Sequence, residues 1–272
     1  MVFLVDLDGT LLNAEGKLEI EDIKRIKRIQ KEGHTIVICT GRTEKEAQSI
    51  IQDLEIEKYK GLAILADGQY IIDYKINKVI QLEFLCDKDV MAIYTKCPQY
   101  KNRNIQLFCK DRNYRIVNSI ISPVYFKTKV KRYLGNKKDN TRVLTKRALA
   151  KTRIQQIEKM TITSGNDVFS NIALLNEFEI YYVHDKKRFE IKHKGVNKAS
   201  ATLIALHNRN AYTYNIIAFG NDDNDICLFK IANESYAVAN ATEKLKDEAN
   251  YILDPISSAV TQKMLDICMK EM

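Results

Sequence analysis

Two short apolar runs end in bursts of carboxylate, and this feature constrains the fold of the chain more than any other. Residues 2–5 read VFLV and stop at Asp6, and residues 216–219 read IIAF and run through Gly220 into NDDND. Four apolar residues in a row, without alternation, fit a strand buried on both faces, as in a parallel sheet, better than a half-exposed strand. In such a sheet the carboxyl ends of the strands open into the ligand crevice, so both carboxylate clusters would project there. Like charges this close repel, and an unpaired buried carboxylate is costly. The clusters therefore need a cation or a wet surface.

The segments around these runs complete the pattern. Ile20, Ile23, Ile26 and Ile29 recur every third residue before Gly33, which predicts a helix with a glycine stop. TIVIC at 35–39 and LAIL at 62–65 read as strands, and 44–54 as the helix between them. Near the far end, 198–207, 225–232 and 244–249 read as helices, while 216–219, 236–239 and 251–253 read as strands. Alternating strands and helices define an α/β class: a Rossmann-like parallel sheet with helices on both faces. Between the two halves, NIQLFC and FEIYYVHD alternate like strands of a more exposed sheet, and residues 140–160 read as an amphipathic helix. An α+β insert at 82–191, splitting a core at 1–81 and 192–272, is the simplest account.

Charge divides along the same lines. From residue 96 to 159, eighteen Lys or Arg stand against three Asp or Glu, a local +15 within a chain of net charge +8. The insert is basic and the flanks are acidic. Six cysteines without a CxxC pair, in a chain of 272 residues, read as reduced thiols of a cytoplasmic protein. Zinc is the alternative, but the four histidines also lack ligand spacing. No stretch reaches the ~20 apolar residues that span a bilayer, and no basic segment precedes the first apolar run, which argues against a signal peptide.

Four stretches carry chemistry. DLDGT places Asp6 and Asp8 after the first strand; its plain alternative is an Asp-Gly turn. In CTGR, Thr40 and the Gly41 amide at a helix start make an anion site, with Arg42 for a second contact; the alternative is a helix cap. Lys198, at a helix start, is by itself no more than a surface lysine. The stretch 221–225 could be an acidic helix start. Set beside Asp6 and Asp8, however, it would form an oxygen-rich pocket of the kind that holds Mg²⁺.

In order, DLDGT, TGR, a lysine and G-x-x-x-N-D resemble the haloacid dehalogenase-like phosphatases, Cof-type branch, along the whole chain. The resemblance implies an Mg²⁺-dependent phosphatase of small phosphate monoesters (sugar phosphates, nucleotides or related metabolites). Asp6 would be the nucleophile that forms an aspartyl-phosphate, and Asp8 the general acid and base. Thr40, Gly41 and Arg42 would bind phosphate, Lys198 would neutralise phosphate and Asp6, and Asn224 would position substrate. Asp6, Asp8, Asn221 and Asp225 would hold the metal, and the insert would be a cap that selects substrate. Two positions depart from the family pattern. Asn221 stands where the family's G-D-x-x-N-D loop has its first aspartate, which predicts weaker metal binding unless Asp222 or Asp225 compensates, and Asp67 stands where relatives often carry asparagine. Partners follow as a small phosphorylated metabolite, no membrane, and a monomer or dimer. Tyr125, Phe126 and Tyr133 among the lysines keep a second reading open, a catalytically weakened protein that binds nucleic acid or another polyanion. A phosphotransferase or phosphomutase is the third.

Overall fold

The computed structural model describes residues 1–96, 104–109, 112–117, 141–163, 176–183, 187–210, 215–255 and 258–270. Tyr125, Phe126, Tyr133 and Cys97 lie outside the described residues, as does much of the basic stretch. In chain order the elements are β1 (Val2–Val5), α1 (Ile20–Lys31), β2 (Thr35–Cys39), α2 (Glu44–Asp53), β3 (Leu62–Leu65), β4 (Tyr70–Asp73) and β5 (Lys78–Gln81). Next come α3 (Asp87–Lys96), β6 (Ile105–Cys109), β7 (Tyr114–Val117), β8 (Arg142–Thr145), α4 (Lys146–Leu149), β9 (Ile157–Thr163), β10 (Phe178–Val183) and β11 (Arg188–His193). The last group is α5 (Lys198–Asn208), β12 (Ile216–Gly220), α6 (Ile226–Phe229), β13 (Glu234–Ala237), α7 (Glu243–Glu248), β14 (Tyr251–Ile252) and α8 (Ala259–Lys270). The chain divides into two compact units, Met1–Leu82 with Val196–Met272, and Glu83–Gly195.

In the first unit, the described strands form one sheet in the order β14-β13-β12-β1-β2-β3-β4-β5. It is parallel from β14 to β3, with an antiparallel hairpin, β4 and β5, at the edge. The apolar runs form its centre: Phe3, Leu4, Ile36, Ile38, Ile217 and Phe219 are fully buried. Each such side chain contributes about 1.5–3 kcal/mol on leaving water. Phe219, Tyr236 and Tyr251 stack across β12, β13 and β14, with ring centroids 5.1 and 4.9 Å apart. Val5 is level with Ile38 on one side and Phe219 on the other, so the residues that follow all three strands emerge at one edge. Strand order reverses about β1, which makes this edge the switch point of the sheet.

Local readings of the sequence need four corrections here. Ile20 is 71% exposed while Ile26 and Ile29 are fully buried, because a strict three-residue spacing drifts around a 3.6-residue helix. The helix expected at 225–232 is a 3₁₀ turn at Asp223–Asp225 followed by the four-residue α6. Strand β13 begins at Glu234, two residues before the apolar signal. The hairpin β4–β5 was not legible, since Lys78–Gln81 is a mostly exposed edge strand with no apolar run.

The second unit holds a six-stranded sheet among its described residues, in the order β10-β11-β9-β6-β7-β8, antiparallel except for β7 with β8. Ile105, Leu107, Met160, Ile162, Phe189 and Ile191 face a core with Val90, Ile93 and Tyr94 of α3. Period-two alternation puts Lys159, Arg188 and Glu190 on the other face, where Lys159 Nζ lies 2.8 Å from Glu190 Oε2. The helix expected at 140–160 is instead β8, the one-turn α4 and the start of β9. Residues 142–145 pair with β7, Thr145 caps α4, and Gln156 at φ 58° turns the chain into β9. Leu144, Leu149, Ile154 and Ile157 are all buried, but they belong to separate segments.

Candidate active site

Asp6 leaves β1 at the switch point, its amide donating to the Phe219 carbonyl at 3.2 Å. Its carboxylate is nearly enclosed, at 5% exposure. Lys198 reaches it from α5. Asn197 caps that helix, its side chain accepting the Ser200 amide at 2.8 Å, which fixes Lys198 as the first helical residue. The fully buried ammonium sits 2.7 Å from Asp6 Oδ1 and 2.6 Å from Asp225 Oδ1. Burial opposes the charge on Lys198, but Asp225 and Asp6, and then Asp67, outweigh it and hold its pKa well above the usual lysine range. Burial also pushes Asp6 up to about 7; Lys198 opposes the rise and Asp225 adds to it.

Asp225 turns its second oxygen back onto its own loop. Oδ2 accepts the amides of Asn221 at 2.9 Å and Asp222 at 3.2 Å. A β-carbon on Gly220 would stand 2.6 Å from the Asp225 β-carbon, so glycine is what permits this tight return. Asp222 Oδ1 accepts the Asp223 amide at 2.8 Å, and Asp223 in turn accepts from Thr242 at 3.0 Å. Asn221 packs against the DLDGT loop: a β-carbon on Gly9 would fall 2.3 Å from Asn221 Nδ2, and Gly9 has φ +79°. Asn240 donates to the Gly9 carbonyl at 3.0 Å from the same side.

Asp8 and Arg42 form a second, more exposed pair. Arg42 grips Asp8 with both prongs, Nε to Oδ2 at 2.9 Å and Nη2 to Oδ1 at 2.6 Å. Asp8 also borders an open cavity of about 740 Å³, together with Gly9, Thr10 and Asn240. Thr40 is fully buried, and its hydroxyl accepts the Arg42 amide at 3.1 Å. The structure thus gathers Asp6, Lys198 and Asp225 into one buried triad, and pairs Asp8 with Arg42 rather than with Asp6.

Asp67 also belongs to this site. It is 3% exposed, in the left-handed region at φ 51°, and its amide donates to the Thr40 carbonyl at 2.9 Å. Asn224 Nδ2 donates to its Oδ1 at 2.9 Å, and a β-carbon on Gly41 would stand 3.0 Å from that oxygen. Asp67 therefore ties together the loops that carry Thr40 and Asn224. Its sequence signals were a polar residue two positions past the end of β3 and the departure from the family's asparagine.

A conserved-family model described as haloacid dehalogenase-like hydrolase matches residues 3–262, and the chain belongs to that family. It is a hydrolase, and its curated relatives include phosphatases. The chain is 28% identical to the 5-amino-6-(5-phospho-D-ribitylamino)uracil phosphatase YcsE of Bacillus subtilis, over 92% of this chain and 88% of the relative. It is 24% identical to YwtE of the same organism, a phosphatase of the same name, over 91% of each. In fold it is similar to the phosphatase BT1666 of Bacteroides thetaiotaomicron, with TM-score 0.74 at 20% identity, over 98% of this chain and 95% of that one. It is likewise similar to the subclass IIB sugar phosphatase BT4131, with TM-score 0.72 at 19% identity, over 98% and 99%. At these identities the solved structures speak for the fold alone. Among the described residues no helix is long and apolar enough to cross a membrane.

Proposed function

We propose that this phosphatase hydrolyses small phosphate monoesters through a phosphorylated Asp6. The observation that carries the reading is the buried ammonium of Lys198 held 2.7 Å from a carboxylate at the switch point of the sheet. Phosphoryl transfer is largely positioning and charge neutralisation, and this arrangement offers a nucleophile with a fixed cation beside it. Asp6 attacks phosphorus, the ester oxygen leaves with a proton from Asp8, and the aspartyl-phosphate forms. Asp8, now ionised, takes the proton of the water that cleaves the acyl-phosphate. Arg42 holds Asp8 through a bidentate contact that a phosphoryl group can replace, which would free Asp8 to turn toward the leaving oxygen. Thr40 and the Gly41 amide are assigned to phosphoryl oxygens, and Asn224, steadied by Asp67, to substrate.

The donors that the family pattern assigns to the metal suit Mg²⁺, because each would offer oxygen: the Asp6 carboxylate, the Asp8 main-chain carbonyl and the Asn221 side-chain carbonyl. Mg²⁺ bound there would cancel the repulsion between Asp6 and the incoming phosphoryl group. Asp225, with Lys198 on one oxygen and two amides on the other, is assigned to orienting the loop and Lys198. Substrate selection is assigned to the inserted unit, whose basic character favours multiply charged metabolites.

The test is phosphate release from an aryl phosphate as Mg²⁺ is titrated, with Asp6→Asn alongside. Release that requires the metal and disappears in the variant supports the reading. It would then justify a panel of sugar phosphates, nucleotides and 5-amino-6-(5-phospho-D-ribitylamino)uracil, the substrate in the names of two relatives. Substantial release by Asp6→Asn would sink it.

A further inference from the structure

We propose that Glu32, His34 and Cys268 form a second metal site, for a divalent transition ion of the zinc class, at the edge of the sheet opposite the catalytic carboxylates. Each offers one ligand atom, and the three atoms lie within 4.8 Å of one another. It is the one such group of three among the described residues. His34 immediately precedes β2 and Thr40 immediately follows it, so roughly 16 Å of strand separates this site from the phosphate loop.

The backbone builds the site with little freedom. Helix α1 ends in a Schellman turn, the Gly33 amide donating to the Gln30 carbonyl at 3.1 Å and the His34 amide to the Ile29 carbonyl at 3.3 Å. Gly33 sits at φ +90°, which a side chain rarely tolerates, and this turn sets Glu32 and His34 side by side. The imidazole is fixed edge-on to Phe3, with centroids 6.1 Å apart, and its Nδ1 lies 3.2 Å from the Met1 nitrogen. Arg28 donates to Glu32 Oε1 at 2.9 Å, orienting the carboxylate as an outer-sphere partner would. Cys268 comes from the third element, α8, which packs against α1, and is 1% exposed.

Thiolate, imidazole and carboxylate together are a mixed donor set that favours Zn²⁺ and its neighbours over Mg²⁺, which takes oxygen alone. Zinc bonds of about 2.0–2.3 Å place tetrahedral ligand atoms roughly 3.3–3.8 Å apart, so closing by about 1 Å completes the geometry. Glu32 is the most exposed residue of the three, and its side chain, 26% exposed, can supply that movement. Three protein ligands leave a fourth position for water, and the thiol proton of Cys268 goes to solvent on binding. The bound ion would pin the C-terminal helix to the corner between α1 and β2.

The site is tested by titrating chelator-treated protein with Co²⁺ in the absence of Mg²⁺ and following the sulfur-to-cobalt charge-transfer absorption. The catalytic donors are oxygens and cannot give this band, so the result does not depend on whether the phosphatase reading stands. The expected result is a band that saturates at one equivalent, is displaced by Zn²⁺, and is absent in Cys268→Ser but retained in Cys86→Ser and Cys227→Ser. Glu32→Gln, on the exposed end of α1, should weaken Co²⁺ about tenfold or more, and Zn²⁺ should raise the melting temperature of the wild type but not of Cys268→Ser. No band at saturating Co²⁺, or a band that survives Cys268→Ser, would overturn the proposal.

Discussion

Replacing Lys198 by Met should destabilise the protein at neutral pH far more than the loss of a surface lysine would. Lys198 Nζ lies 2.7 and 2.6 Å from the carboxylates of Asp6 and Asp225, with no exposed surface on the ammonium side chain. At an effective dielectric of about 20, each contact is worth roughly 6 kcal/mol of attraction. Most of this is offset in the native state, because stripping water from buried ions costs several kcal/mol per ion. The variant loses the attraction and leaves Asp6 facing Asp225 without the ammonium, so Asp6 must take up a proton and Asp225 stays buried without a counter-ion; breaking a buried pair in this way costs about 3–5 kcal/mol. At about 2–4 °C per kcal/mol, the melting temperature should fall by roughly 6–20 °C. The assay is thermal unfolding by circular dichroism in a chelating buffer, so that no divalent cation compensates. A second variant, Lys198→Met with Asp225→Asn, removes the stranded charge and should melt above the single variant. A single variant within about 2 °C of wild type, or a double variant below the single, would refute the reasoning.

Three further outcomes follow from the geometry. Arg209 holds Asp73 through bonds of 2.8 and 2.5 Å, both side chains nearly buried, and so anchors the end of α5 to β4. Burial alone would raise the Asp73 pKa, but the hydrogen bonds and charge of Arg209, with the amides of Lys75 and Ile76, outweigh it and hold it below the ordinary value. A depressed carboxylate stabilises above its unfolded pKa of about 3.9 and loses that stabilisation as pH falls through the folded value. Asp73→Asn should therefore cost about 3–5 kcal/mol in denaturant unfolding at pH about 7, and the gap to wild type should narrow below pH ~4. Asn221→Asp should tighten the apparent Mg²⁺ constant for turnover, and an unchanged constant would remove Asn221 from the ligand set. Gly9→Ala should cost about 1–2 kcal/mol in strain at φ +79° and displace Asn221, so its Mg²⁺ requirement should rise.

What could be read from the sequence was whatever is local to a strand end. VFLV before Asp6, TIVIC before Thr40 and IIAF before Gly220 are apolar because both faces of those strands are buried, so each run marked both the strand and the edge to which the next polar residue projects. Lys198 gave no such signal by itself: its burial depends on carboxylates 192 positions before it and 27 after it. The same distance hid the pairing of Asp73 with Arg209, and the meeting of Glu32 and His34 with Cys268. Asp67 stood out only as a departure from the family's asparagine, because an Ala-Asp-Gly sequence looks the same whether its carboxylate faces water or Asn224. Residues 140–160 misled for another reason. Buried positions contributed by two strands and a single helical turn average into a helical stripe when read as one window.

The central claim is that Asp6 becomes phosphorylated, and the most direct measurement is to trap it there. Asp8→Asn should slow hydrolysis of the acyl-phosphate. Protein mixed with an aryl phosphate and Mg²⁺ can then be quenched in acid, reduced with borohydride and mapped by peptide mass spectrometry. The expected result is homoserine at position 6, absent when substrate is omitted and absent in Asp6→Asn. An unmodified Asp6 in a sample that has released its phenol, or modification at another carboxylate, would contradict the account.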